Sequence, residues 1–168
     1  MEGALAGINV LDLASVIMGP LASQHLGDMG ADVIKVENPD GDLTRSIGPR
    51  ASEKMGAVFL NINRNKRSVV LDLTRPEGVE VLDRLVAGAD VLIHSNRTRA
   101  LRKLGLEYER LAAINPRLIY CHVKGFADDG AYGGLAAFDD TIQALSGLAM
   151  LQSAISEGAE PRYIPRSG

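Results

Sequence analysis

Residues 7–45, GINVLDLASVIMGPLASQHLGDMGADVIKVENPDGDLTR, constrain the fold of this chain most tightly, because they read as strand, turn, helix, strand and then a loop rich in Gly, Asp and Pro. Ile8, Val10, Leu11 and Leu13 make an apolar run of strand length. Gly19-Pro20 then breaks the strand and presets the first turn of a helix. Leu21, His25, Leu26 and Met29 fall on one face at helical spacing, Gly30 suits a left-handed residue just past a helix end, and Asp32 to Val36 supplies the next strand. The unit is βαβ, which implies parallel strands and a right-handed crossover.

The alternation continues. Asn38 to Lys54, with Pro39, Gly41, Gly48 and Pro49, reads as a long loop, and long loops in compact domains often carry function. Ser68 to Leu73 reads as a strand leading into Thr74-Arg75-Pro76-Glu77, a capping box with Pro in the first turn. A helix to about Ala87 buries Val79, Leu82, Leu85 and Val86, Gly88 ends it, and Asp90 to His94 is the next strand. Helices over Thr98 to Leu104 and Tyr108 to Ile114 precede Pro116, Leu118 to Val123 is β-rich, and 125–134 is loop. Asp139 to Met150 is predicted helical, with Gly147 weakening its end. The fold class is therefore α/β: a Rossmann-like parallel sheet with helices on both faces, spanning 1–150, followed by a polar extension over 151–168. Ligands of such sheets bind beyond the carboxyl ends of the strands, so the loops after Leu13, Val36, Leu73, His94 and Val123 are the places for chemistry.

Composition narrows the function. A net charge of -3 supplies no strongly basic face for counterion release, which argues against nucleic acid. No apolar run approaches the roughly 18 to 20 residues of a membrane span, and a single cysteine with no signal-peptide layout points to the cytoplasm. There is no G-x-G-x-x-G, no P-loop and no G-x-S-x-G, so dinucleotide, NTP and hydrolase readings lack their parts. His25, His94 and His122 are too scattered for a metal site, so no metal is expected, and His25 reads as a packed or capping histidine. Cys121 reads as a buried, inert thiol inside a strand. Asp139 and Asp140 at a helix start are most simply cap or dipole partners.

The wording of 7–45, together with N-R-N-K-R-S at 63–68, the L-G-L at 104–106 and the run NPRLIYCHVKGFADDGAYGGLAAFDDTIQALSGLAM at 115–150, resembles the amino-terminal part of family III CoA-transferases. This group includes formyl-CoA transferase, carnitine CoA-transferase and α-methylacyl-CoA racemase. The resemblance implies coenzyme A or acyl-CoA as substrate, a carboxylic acid as acceptor, and a homodimer for the full-length protein. By the same resemblance, the backbone of Ser15, Val16, Ile17 and Met18 and the region from Leu71 to Thr74 contact the nucleotide, with Ser95, Lys103 and Phe138 as further CoA-side positions. A solvated helix face is the alternative for Lys103. Lys66 or Arg67 would neutralise CoA phosphates, a solvated loop being the alternative. Phe138 stands where the racemase branch has an acid/base His, which favours transfer over proton abstraction. Transferases of the family use an aspartate nucleophile that the resemblance places beyond Gly168, so the expectation is an amino-terminal fragment with no catalytic residue of its own. A non-catalytic CoA-binding module and a degenerate product are the alternatives, with the racemase as enzymatic runner-up.

Overall fold

The computed structural model describes residues 3–50, 52–156, 160 and 163. Two units, residues 1–123 and 124–168, divide the chain. The first holds β1 (Asn9–Leu13), α1 (Met18–Asp28), β2 (Asp32–Glu37), a 3₁₀ turn (Leu43–Ser46), α2 (Ala57–Ile62), β3 (Lys66–Val70), α3 (Pro76–Ala87), β4 (Val91–His94), α4 (Thr98–Leu104), α5 (Tyr108–Ile114) and β5 (Ile119–His122). The strands form one parallel sheet of order β3-β2-β1-β4-β5, the doubly wound arrangement read from the sequence.

Alternation along the strands sends side chains to two separate cores, one on each face of the sheet. Leu11, Leu13 and Leu92 pack with Leu82 and Val86 of α3 and Leu111 of α5, while Val10, Val33 and Ile93 face the other way, with Leu26 of α1 against them. Pro at the first position starts α3, but Thr74 does not cap it: the Thr74 hydroxyl donates to Asp72 Oδ1 at 2.6 Å, so the predicted capping box is not made.

Helix α1 corrects a second expectation. Leu21 and Met29 are exposed, as is His25, which is neither packed nor capping, and the buried positions are Gly19, Pro20, Ser23 and Gln24. The helix approaches the sheet too closely for large side chains, since a Cβ on Gly19 would lie 2.2 Å from that of Ala14 and one on Gly27 3.3 Å from Val33. Cys121 is exposed on the edge strand β5 rather than buried. The third strand begins at Lys66, two residues before the predicted start, and the long loop contains the 3₁₀ turn.

The second unit contains α6 (Asp139–Leu145) and α7 (Leu148–Ile155), two helices where one was predicted over 139–150. Gly147 separates them with φ 78°, a left-handed conformation that ends one helix and opens the next. Asp139 and Asp140 lie in the first turn of α6, and Asp139 accepts the Gln143 amide at 2.7 Å. Of the predicted polar extension, residues 157–159, 161–162 and 164–168 lie outside the described residues.

Candidate functional site

The chain leaves β1 through Ala14, Ser15 and Val16, and the backbone polar groups of this turn meet side chains rather than a helix or sheet ladder. The Ala14 N–H donates to Asp12 Oδ1 (3.0 Å), the Ser15 N–H to Ser95 Oγ (3.0 Å) and the Val16 N–H to Asp42 Oδ1 (3.4 Å), while Lys35 Nζ donates to the Ala14 carbonyl (2.9 Å). Val16 has φ 70°, a left-handed conformation that a β-branched residue adopts only when its surroundings hold it there.

Beneath the turn lies a cluster of four buried charges. Asp12 and Lys35 are partners in the register of β1 and β2, and both are nearly inaccessible. Lys35 Nζ sits 3.0 Å from Asp42 and 3.9 Å from Asp12. Asp12 also accepts from the Ser23 hydroxyl at 2.7 Å and from the Lys66 ammonium at 2.8 Å, and Lys66 donates onward to the Pro20 carbonyl and Asn63. Burial lowers the Lys66 pKa, opposed by the Asp12 carboxylate beside it. Two cations against two carboxylates leave the cluster neutral, which is the condition for burying charge, and Asp42 Oδ2, which receives no hydrogen bond, is balanced by the Lys35 ammonium 3.0 Å away.

Glu37, at the end of β2, ties down the long loop. It accepts two bonds from Arg45 (2.7 and 2.6 Å), one from the Ser68 hydroxyl (2.8 Å) and one from the Asp42 N–H (3.1 Å). Burial opposes its ionisation, but the Arg45, Ser68 and Asp42 donors outweigh it and lower the pKa to about 2. The Arg45 guanidinium lies 3.7 Å over the Phe59 ring, joining α2 to the same assembly.

These elements wall an open cavity of about 410 Å³ at the carboxyl ends of β1, β2 and β3, lined by 13–15, 35–42 and 71–74 with Asn96 and Leu104. Among the predicted positions, Ser15, Leu71 and Thr74 line it. Ser95 stands behind them, fixing the Ser15 amide. Ile17 and Met18 are exposed at the start of α1, Lys103 is exposed on α4, and none of the three lines the cavity. Phe138, in the second unit, is exposed. Lys66 is buried against Asp12, whereas Arg67 is exposed at the surface, where it pairs with Asp32 at 2.5 Å. Asp12, Lys35, Asp42, Glu37 and Arg45 went unselected in the sequence. For Asp12 and Lys35 the signal was the single charge within each of two apolar runs, Leu11-Asp12-Leu13 and Ile34-Lys35-Val36.

The cavity lining combines the Ser15 and Thr74 hydroxyls and apolar side chains with four acidic residues, Glu37, Asp40, Asp42 and Asp72, and one lysine, Lys35. That suits recognition of a polar ligand with an apolar body. Among the described residues, no group of His, Cys, Asp and Glu could hold a metal ion, and no helix is long and apolar enough to cross a membrane.

The sequence profile described as CoA-transferase family III matches residues 5–166. Succinate–glutarate CoA-transferase of Agrobacterium fabrum is 48% identical over 150 residues, covering 85% of this chain and 38% of that protein. Human succinyl-CoA:glutarate CoA-transferase is 39% identical over 145 residues, covering 86% of this chain and 33% of that protein. A crystal structure of a CaiB/BaiF family protein from Brucella suis superimposes with TM-score 0.84 at 45% identity, covering 89% of this chain and 40% of that one. The chain thus spans about a third of the length of the curated relatives it matches.

Proposed function

The chain belongs to CoA-transferase family III, and from that premise we propose that it supplies the CoA-receiving loops of an enzyme that moves coenzyme A from an acyl-CoA thioester to a carboxylic acid. One observation carries the proposal: Ser15, Leu71 and Thr74, which the family resemblance assigns to the nucleotide, line one cavity at the carboxyl ends of parallel strands. The relatives' names, succinate–glutarate and succinyl-CoA:glutarate CoA-transferase, favour dicarboxylic acids as donor and acceptor.

In the proposed reaction an aspartate carboxylate from outside these 168 residues attacks the thioester carbonyl. The C–S bond breaks, CoA leaves as thiolate, and a mixed anhydride remains. The thiolate then attacks the aspartyl carbonyl and expels the donor acid, giving an aspartyl-CoA thioester. The acceptor carboxylate repeats the two steps in reverse, leaving with CoA and restoring the aspartate. The part of this chain is to hold the CoA body still while its sulfur changes partners. Phe138 has no proton to exchange, which separates this chemistry from racemisation. The working enzyme is proposed as a cytoplasmic homodimer.

A ligand bound only by the folded state raises stability by mass action, by about 2.7 kcal/mol at one hundred times Kd. CoA is therefore expected to raise the melting temperature of this chain in a saturable way, and succinyl-CoA with glutarate is expected to give binding without transfer by these residues alone. A melting curve that does not move at millimolar CoA sinks the proposal.

A further inference from the structure

The strained turn at Val16 is held by buried charges whose place in the fold would otherwise be costly, and the two facts explain each other. Lys35 donates to the Ala14 carbonyl at 2.9 Å and lies 3.0 Å from Asp42, and the other carboxylate oxygen of Asp42 receives the Val16 N–H at 3.4 Å. One ammonium thus holds the turn directly from one side and through Asp42 from the other. A core lysine used only for packing would be replaceable by methionine, whereas this one spends its donors on the segment that lines the cavity.

We infer that Lys35 is a positioning residue: with Asp42 it holds the β1–α1 turn, and Val16 in its left-handed conformation, in the geometry that receives CoA. The inference rests on the CoA reading given above. Lys35 borders the cavity but is only 1% exposed, and its ammonium is turned to the Ala14 carbonyl and the Asp42 carboxylate, so the inferred action is through the turn.

The test is a double-mutant cycle in the 168-residue chain, read by calorimetric titration with CoA. Glycine adopts a positive φ without help. If Lys35 works by holding Val16 left-handed, K35M weakens CoA affinity about tenfold or more with Val16 present and less than about threefold in the V16G background. Since K35M leaves Asp42 without its cation and could unfold the chain, K35M/D42N, which removes both charges, is measured beside it and is expected to show the same dependence on residue 16. An equal loss in both backgrounds, or no loss, overturns the inference. The coupling between the Val16 amide and α protons, read without ligand, separates the two readings. If the wild type binds no CoA the proposed function falls, and the hold on the turn then stands on a coupling that changes in K35M/D42N and fails on one that does not.

Discussion

Glu37 gathers four hydrogen bonds from three different segments, the long loop, the 3₁₀ turn and β3, so its ionisation carries the cavity wall with it. Its pKa falls from the ordinary 4.5 to about 2, and its side chain is almost fully buried, so the difference corresponds to about 3 kcal/mol of stability. Because the folded value is the depressed one, this contribution is complete above pH 4.5 and disappears as the pH drops through 2. Glu37→Gln, which cannot ionise, should melt well below the wild type at pH 7, and the gap should shrink between pH 4.5 and 2; a gap of constant size would show that the carboxylate charge is not what Arg45 needs. The loop that Glu37 holds was legible as a loop, but the residues that hold it were not. Hydropathy patterns weigh a strand as a whole, so one charge among apolar neighbours does not disturb the reading, and only the register that sets Asp12 beside Lys35 reveals a pair. Lys66 was legible as a cation at a strand entrance, yet its partner Asp12 lies 54 positions away in sequence, a distance that no local pattern spans.

At the scale of elements, α4 and α5 match the sequence reading residue for residue and α3 and β4 to within a residue, because caps, prolines and apolar spacing agree there. The first helix was found, but of its predicted face only Leu26 packs against the core, while Leu21, His25 and Met29 are exposed. Its apolar residues at 21, 26 and 29, with His25, describe a plausible stripe, whereas the buried positions Gly19, Pro20, Ser23 and Gln24 are small or hydrogen-bonding. Ser23 bonds to Asp12, and the Gln24 amide, with its nitrogen turned toward α2, donates to the Asn61 and Ile62 carbonyls that end that helix. Close approach also fixes the start of α2. Gly56 has an ordinary φ of -64°, so any residue could adopt its backbone, but a Cβ there would lie 2.7 Å from the Ile47 and Thr44 carbonyl oxygens and 2.9 Å from that of Arg45. Backbone cannot give way as a side chain can, so Gly56→Ala should cost about 1 to 3 kcal/mol by overpacking. It should also loosen the 3₁₀ turn that carries Thr44 and Arg45. Urea denaturation would measure the cost, and a loss under a few tenths of a kcal/mol would mean that the loop accommodates the methyl group.

For the molecule as a whole, the sheet, both hydrophobic cores, the buried charge cluster and the cavity all lie within residues 1–123. A segment that contains its own core on both faces of its sheet can in principle fold alone. A chain ending at Val123 should therefore keep its α/β circular dichroism and unfold in one cooperative transition, and Leu82→Ala, at a fully buried core position, should lower its stability by about 2 to 5 kcal/mol, the same cost expected in the longer chain. The same truncation tests the one proposed CoA position outside this unit. If Phe138 contributes to the ligand, removing residues 124–168 weakens CoA binding, and Phe138→Ala in the 168-residue chain reproduces most of the loss, by about 1 kcal/mol or more for a lost aromatic contact. Equal CoA affinity in the 123-residue and 168-residue chains would confine recognition to the strand-end cavity and remove Phe138 from it. A truncated chain that folds yet binds nothing, beside a full chain that binds and a Phe138→Ala variant that binds equally well, would place the missing contact elsewhere in residues 124–168.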